Sequence, residues 1–373
     1  MRACFDMEIF NYMVKHGHEE VRLFREKSTG LKAVIAIHDT TLGPAGGGTR
    51  RWVFKSEDEA IEDALRLARA MTYKYAAAGI SCGGGKGVIM VNSMSEKSEE
   101  LYRAYGRFVD TFHGRFYTGS DVGTDVQELR YIAMETEYVL GLPETKKQVE
   151  CYQPTSWGVV RGMKACCREV FGDESLEGRV VAVQGLGKVG TPLVKYLKDE
   201  GAKPIVTDIY SERVRVVVNQ FKVQHVDPDE IYNVECDIFS PNALGGVIND
   251  HTIAGLRCKI VAGGANNQLQ EDRHGDMLHR KGILYAPDYV INAGTAIDDI
   301  DTTKKGGYKY ERARGDVDRI YDRITSIIEI SKRENMPTYK AADRFAEERI
   351  RKIGAMKDLR VREVKPQIYS GLE

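Results

Sequence analysis

A chain of 373 residues exceeds what one ordinary hydrophobic core organises, so two domains are expected. Its 54 Lys and Arg offset 55 Asp and Glu, leaving a formal charge of −1 and no electrostatic footprint for nucleic acid or an acidic surface. No apolar run is long enough to span a bilayer, and the N-terminal residues lack the apolar centre of a secretion signal, so a cytoplasmic location is expected. The seven cysteines form no C-x-x-C pair and read as reduced thiols, and the eight histidines show no ligand spacing, so no metal is expected.

Residues 7–16 read as a short helix. Residues 21–26 and 31–38 flank the turn Lys27-Ser-Thr-Gly30 and read as a hairpin. A glycine cluster, Gly46-Gly-Gly48, follows with free backbone N–H groups. Ser56-Glu-Asp-Glu59 is a capping box that opens a helix with Ala60, Ala64, Leu67, Ala68 and Met71 on one face; this helix delivers Lys74. Next comes Gly83-Gly-Gly-Lys86, which reads as a tight turn into a strand at 88–91. Adjacent glycines strip away side-chain bulk, so a ligand can approach the backbone. A lysine emerging there can lose water and have its pKa lowered, as a base at neutral pH requires, and a second lysine nearby lowers it further. A helix is expected from 95 to about 112, then a strand at 116–118 ending in Gly119-Ser-Asp121-Val-Gly123. Thr124 and Gln127 cap another helix, and Pro143 marks a break.

From about residue 150, helices at 156–171, 188–200 and 211–221 alternate with strands at 180–184 and 204–207. Short apolar strands are expected at 238–239, 259–262, 282–285 and 290–291. Such alternation builds a doubly wound parallel sheet. The tail is helical and charged, with Ile327, Ile328 and Ile330 apolar and helical spacing again at 341–353. Val180-Val-Ala-Val-Gln-Gly185-Leu-Gly187-Lys-Val-Gly190 is a strand entering G-x-G-x-x-G and then a helix, the pattern that seats a pyrophosphate on a helix N-terminus. Asp208 ends the next strand, where a carboxylate accepts from ribose hydroxyls and repels a 2′-phosphate. This favours NAD, with Arg213 nearby leaving some room for NADP. Segments 241–246, containing Asn242, and 262–267 also follow strands, at the end of the sheet where ligands bind.

These motifs in order make the chain similar to the Glu/Leu/Phe/Val amino-acid dehydrogenase family, nearest its leucine branch. The resemblance rests on His38-Asp-Thr-Thr-Leu-Gly-Pro-Ala45, Met71-Thr-Tyr-Lys74, Gly83-Gly-Gly-Lys86, Asp121-Val-Gly123, Gly185-Leu-Gly187, Cys236-Asp-Ile, Ala265-Asn-Asn-Gln-Leu269 and Ala286-Pro-Asp-Tyr-Val-Ile-Asn-Ala-Gly294. It implies an α/β fold of two domains: a substrate and oligomerisation domain at 1–142, a Rossmann domain at 143–333, and helices at 334–373 returning to the first. It also implies a homo-oligomer that reversibly converts an L-amino acid to a 2-oxo acid and ammonia with NAD. By the same resemblance Lys74 binds the substrate carboxylate, helped by Asn267 and the backbone from Gly46 through Gly47 to Gly48. Lys86 is the catalytic lysine, Asp121 handles protons on the amine, and Thr155 and Asn292 contact the nicotinamide carboxamide. The residues suit that chemistry on their own terms: hydride loss from Cα leaves an imine, water attacks it, and a neutral lysine accepts the water proton.

The side-chain pocket departs from the leucine branch, which usually has leucine at Gly46, alanine at Gly119 and valine at Ala296 and Asp299, so three wall residues are smaller here and one is charged. Those changes imply a larger and partly polar pocket, suited to an aromatic or donor-bearing side chain as an alternative to leucine. The other outcome is that residues 295–307 are rearranged and Asp299 faces water. Two further readings compete: a non-catalytic NAD-binding regulatory protein, and a Rossmann oxidoreductase acting on a hydroxy acid, which would want a histidine in a glycine-rich ligand loop.

Overall fold

The structure is a computed structural model that describes residues 8–146 and 152–357. Helix α1 (Ile9–His16) ends at Gly17 in the left-handed region, and β1 (Glu20–Arg25) and β2 (Lys32–Asp39) form the expected antiparallel hairpin. The first sheet has the order β1-β2-β4-β3-β5, with β3 (Ala45–Trp52) parallel to both β4 (Gly83–Met90) and β5 (Phe116–Gly119).

Both glycine clusters therefore lie inside strands, which corrects their reading as turn and loop. Packing explains it. A Cβ at Gly47 would run into the Gly85 carbonyl, and one at Gly84 into Thr72 and the Ala68 carbonyl of α2 (Glu57–Ala77). The space the glycines leave is filled by the protein itself, which lets α2 lie flat on the sheet. Its N-cap Ser56 accepts from the Glu59 N–H at 3.1 Å, one half of the expected capping box; the Glu59 carboxylate accepts from the Lys55 N–H at 2.6 Å in place of the Ser56 N–H. Its buried face, Ala60, Ile61, Ala64, Leu65 and Ala68, packs on Val34, Ala36 and Val88. On the opposite face α3 (Glu99–Asp110) and α4 (Val126–Ala133) cover the sheet, with Tyr102, Tyr105, Phe112 and Phe116 at the centre. Helix α3 starts later than expected, at N-cap Ser98, and α4 is capped by Asp125 and Glu128, one residue beyond the expected pair.

The second sheet is wholly parallel among its paired strands, in the order β11-β10-β9-β6-β7-β8. It comprises β6 (Val180–Gln184), β7 (Lys203–Thr207), β8 (Gln224–His225), β9 (Ile238–Pro241), β10 (Ile260–Val261) and β11 (Leu284–Tyr285). Helix α5 (Pro154–Phe171) leads into β6, α6 (Gly190–Asp199) and α7 (Ser211–Phe221) connect β6 to β7 and β7 to β8, and α8 (Asp272–Arg280) connects β10 to β11. The order reverses between β6 and β9, which opens a crevice at their C-terminal ends, the place where such sheets take ligands. The expected strand at 290–291 is instead part of helix α9 (Asp288–Ile291). Pro287 sets the turn before it, and two apolar residues carry no periodicity to distinguish strand from helix. Then follow α10 (Gly294–Asp301), α11 (Tyr310–Asp318), α12 (Ile320–Glu334) and α13 (Thr338–Lys357). No helix among the described residues is long and apolar enough to cross a membrane.

Helix α13 returns to α2. Tyr73 donates to Glu347 at 2.8 Å, and Arg349 donates to the Ile80 carbonyl at 2.7 Å. The C-terminal part of α2, from Tyr75 to Ala77, shares one apolar cluster with residues of α5, α9, α12 and α13. Lys74 is thereby carried to the seam between the sheets.

A buried histidine pair under α2 gives the fold a pH dependence. His18 donates from Nε2 to the Leu65 carbonyl at 2.9 Å and meets His38 edge-on, with ring centroids 4.8 Å apart. Burial pulls the His18 pKa from 6.5 down to about 4. The folded state holds the neutral ring, so its contribution is complete above pH 6.5 and is lost as pH falls towards 4. The expected loss is about 3 kcal/mol. Denaturant unfolding of wild type and His18→Leu at pH 7 and pH 4 measures it, and the wild type should lose that much more than the variant.

Candidate active site

Lys74 occupies the last turn of α2, and its ammonium donates to Asn292 Oδ1 at 2.8 Å. Asn292 follows α9 and donates in turn to Asn266 Oδ1 at 2.6 Å. Burial, with Lys86 adding to it, draws the Lys74 pKa down to about 8 against the opposing pull of Asp288 and Asp121. Lys86 lies in the middle of β4, opposite Ala36, with a side chain only 6% exposed. Its Nζ is 2.7 Å from Asp121 Oδ2, in the turn after β5. Gly48 makes room for that turn: a Cβ there would lie 2.9 Å from the Asp121 Cβ. Burial lowers the Lys86 pKa and Arg50 lowers it further, while Asp121 pulls the other way; the net direction is down. Burial alone would raise the Asp121 pKa, but Lys86 and Arg50 outweigh it and hold the carboxylate below its usual range. The site thus holds a buried lysine poised towards its neutral form, an ionised aspartate against it, and a second lysine near its own titration point.

The side-chain wall is more filled than the sequence implies. A Cβ at Gly46 would stand 2.9 Å from the Tyr75 hydroxyl and 3.0 Å from the Cys82 sulfur, so those groups occupy the space a larger residue would take. At Gly119 a Cβ would only touch Leu140, at 3.7 Å, which leaves room. Ala296 is partly buried on α10. Asp299 stands beside Gly141 and is ion-paired with Lys146, which also reaches Asp298 at 2.7 Å. Asp299 is 21% exposed, so it neither faces open water nor stands free. Burial pushes its carboxyl up, and Lys146 opposes this.

In the crevice of the second sheet Gly185 has φ +92°, a left-handed conformation that glycine adopts without strain. Gly190 must lack a side chain because a Cβ would run into the Gly185 carbonyl. Around Gly187 the corresponding space is open. Asp208 accepts from the Leu186 N–H at 2.7 Å and the Tyr210 N–H at 2.9 Å, which aims it at the glycine turn. Arg213 is 3.7 Å from it and stacks over the Tyr210 ring. Asn242 accepts from the Gly264 N–H at 2.8 Å, and Thr155 meets the Thr295 hydroxyl at 2.8 Å. Gly264 sits between Asn242 and Thr155, and its carbonyl lies 3.4 Å from Asn292 Nδ2. An open glycine turn at a helix N-terminus, with an oriented carboxylate at the next strand end, fits a dinucleotide.

The structure therefore gathers Lys74, Lys86 and Asp121 with Asn292, and joins Asn292 to the crevice carrying Thr155 and Asn242. Asn267 stands apart from that network: it is exposed, in the left-handed region at φ 51°, with its carbonyl accepting from the Gly246 N–H at 2.7 Å. Its neighbour Asn266 makes the contact to Asn292 instead. Sequence reasoning missed Asn266, Arg50, Asp288, Tyr75 and Lys146 as participants. Asn266 and Asp288 lie inside motifs already singled out, but spacing does not say which side chain turns inward.

A model of the Glu/Leu/Phe/Val dehydrogenase dimerisation domain matches residues 17–138, and one of glutamate/leucine/phenylalanine/valine dehydrogenase matches 206–298. The chain is 55% identical over 345 residues to a leucine dehydrogenase of Geobacillus stearothermophilus, covering 92% of this chain and 94% of that one. It is 45% identical over 349 residues to a phenylalanine dehydrogenase of Thermoactinomyces intermedius, covering 93% and 95%. The crystal structure of L-tryptophan dehydrogenase from Nostoc punctiforme superposes with a TM-score of 0.83 at 45% identity, covering 93% of this chain and 99% of that one. The chain belongs to the Glu/Leu/Phe/Val dehydrogenase family: it is an oxidoreductase, an amino-acid dehydrogenase of an NAD(P)-dependent group.

Proposed function

We propose that the protein catalyses the reversible, NAD-dependent oxidative deamination of leucine and related branched-chain L-amino acids to the 2-oxo acid and ammonia. The observation that carries this reading is the buried Lys86–Asp121 pair, 2.7 Å apart, with Lys74 beside it. The Lys74 ammonium binds the α-carboxylate, while Gly46 and Gly47 sit within the paired ladder of β3 and Asn267 stands apart, so none of the three is a donor to it here. The bound nicotinamide supplies the acceptor for the hydride that leaves Cα. Asp121 takes the proton that the substrate ammonium must give up before the hydride leaves. Neutral Lys86 then removes a proton from the water that attacks the resulting imine carbon. Asp121 returns its proton to the nitrogen and takes the carbinol O–H proton as the C–N bond breaks, so the carbonyl forms, ammonia leaves and the two protons held on Lys86 and Asp121 are released. Asp208 supports NAD over NADP, because its carboxylate repels a 2′-phosphate. Gly185, Gly187 and Gly190 would carry the pyrophosphate, and Thr155, Asn242 and Asn292 the nicotinamide end.

Leucine is favoured by the 55% identity to a leucine dehydrogenase against 45% to a phenylalanine one, and by Tyr75 and Cys82 narrowing the pocket at Gly46. A second reading, a larger side chain, has the room at Gly119 in its favour, whereas Asp299, already paired with Lys146, offers no free acceptor to a donor-bearing one. Comparing kcat/KM for leucine, valine, phenylalanine, tryptophan and lysine decides between them. Leucine should lead by at least about tenfold, since each methylene of fit is worth on the order of 1 kcal/mol; a lead for tryptophan or lysine overturns this assignment.

The same reading divides the chain at 142 and 333, with the return of α13 to α2 supporting the last boundary. A homo-oligomer is supported by the dimerisation-domain match, by the edge strand β1 with Leu23 exposed, and by Phe10 and Val14 exposed on α1. A cytoplasmic setting suits the free thiols of Cys82, Cys166, Cys167, Cys236 and Cys258.

A further inference from the structure

Beyond the lysines and Asp121, one charged chain runs outward from the site. Arg50, on β3, donates from Nε to Asp121 Oδ2 at 3.1 Å, the same oxygen that faces Lys86. Its other arm donates from NH1 to Asp63 Oδ2 at 2.8 Å, and Asp63 is held by Arg66 at 2.7 Å. Asp63 sits on α2, the helix that also delivers Lys74. A guanidinium spanning two carboxylates has both ends fixed, so it cannot swing without breaking a charge-assisted bond. We infer that Arg50, locked by Asp63, is a positioning residue that fixes the Asp121 carboxylate and sets the proton affinity of Lys86.

The charges facing Lys86 define the expected signs. Asp121 faces it from the turn after β5, Arg50 from β3, and Asp63 and Lys74 from α2; Asp288 of α9 acts on Lys74. Arg50 is a cation near an ammonium, so it disfavours protonation of Lys86; Asp63 favours it. Removing one must shift Lys86 opposite to removing the other. A purely structural role has no such sign. Arg50 and Asp63 also line a surface cavity of about 440 Å³ with Trp52, Phe54, Arg66 and Val122. Shortening either one therefore meets water and leaves no sealed, unpaired charge.

The proposal rests on the catalytic reading of Lys86, and its test is independent of turnover. In protein labelled at the lysine ε-carbon, NMR titration follows Lys86, assigned by the signal missing from Lys86→Ala. Arg50→Gln should raise the Lys86 pKa by about half a unit or more, and Asp63→Asn should lower it. The acid limb of kcat/KM for leucine should move the same ways, while Arg50→Lys keeps the limb in place and loses about tenfold in kcat through lost geometry. Unmoved titrations, or shifts of the same sign in Arg50→Gln and Asp63→Asn, overturn the inference. Wild type that fails to turn over any amino acid defeats the functional reading instead, and the titration still decides this one.

Discussion

Lys86→Ala should lower kcat for leucine oxidation by about three orders of magnitude while leaving NAD affinity near wild type. General acid–base groups contribute about 10²- to 10⁴-fold, and the base we propose is Lys86, buried with Asp121 against it. Its removal takes away the acceptor for the water proton without touching the crevice of the second sheet, which begins beyond β6. Initial rates at saturating substrate measure the first effect, and NAD titration of intrinsic fluorescence the second. A kcat within about tenfold of wild type contradicts a catalytic role, because a bystander lysine costs no more than that.

Lys74→Ala should instead act on binding, raising KM for leucine by about a hundredfold. That is the worth of one charge-assisted hydrogen bond in a buried setting, about 3 kcal/mol. A second signature distinguishes it from a packing defect. Burial and Lys86 place the Lys74 pKa at about 8 in the free protein. The charged form binds a carboxylate, so affinity for a 2-oxo acid, which has no amine of its own to titrate, should be constant below pH 8. Above it, the affinity should weaken by up to about tenfold per pH unit. Calorimetric titration of 4-methyl-2-oxopentanoate from pH 6.5 to 10 reads this, and a flat profile in wild type removes Lys74 from the carboxylate site.

Most of the architecture was legible because it is written in local periods and turn chemistry. The helix start at N-cap Ser56, the hairpin around Lys27 to Gly30 and the strand–glycine–helix run at 180–190 are each implied by local sequence, and the structure has them. The exceptions share a cause: the deciding contacts are distant in sequence. Gly83 to Gly85 look like a turn in isolation, yet they pair with β2 and β3 and are glycine because α2, Phe116 and Asp39 fill the space around them. Val290 and Ile291 read as strand for want of a period, and Pro287 with Asp288 turned them into helix. At the site, Lys74, Lys86 and Asp121 announced themselves through the motifs around them. Arg50 and Asp63 did not, because an arginine bridging two carboxylates across two elements leaves no spacing signal. The side-chain pocket shows the same limit. Counting methylenes lost at Gly46 implied an enlargement, while Tyr75, 29 residues on, returns a hydroxyl to that space.

The most direct test of the account is a crystal structure with NADH and 4-methyl-2-oxopentanoate bound together. The ligand carboxylate should rest on Lys74, and its carbonyl carbon should lie between the Lys86–Asp121 pair and the nicotinamide ring. A ligand whose carbonyl sits away from Lys86, or a dinucleotide seated elsewhere than at Gly185 to Gly190, contradicts it.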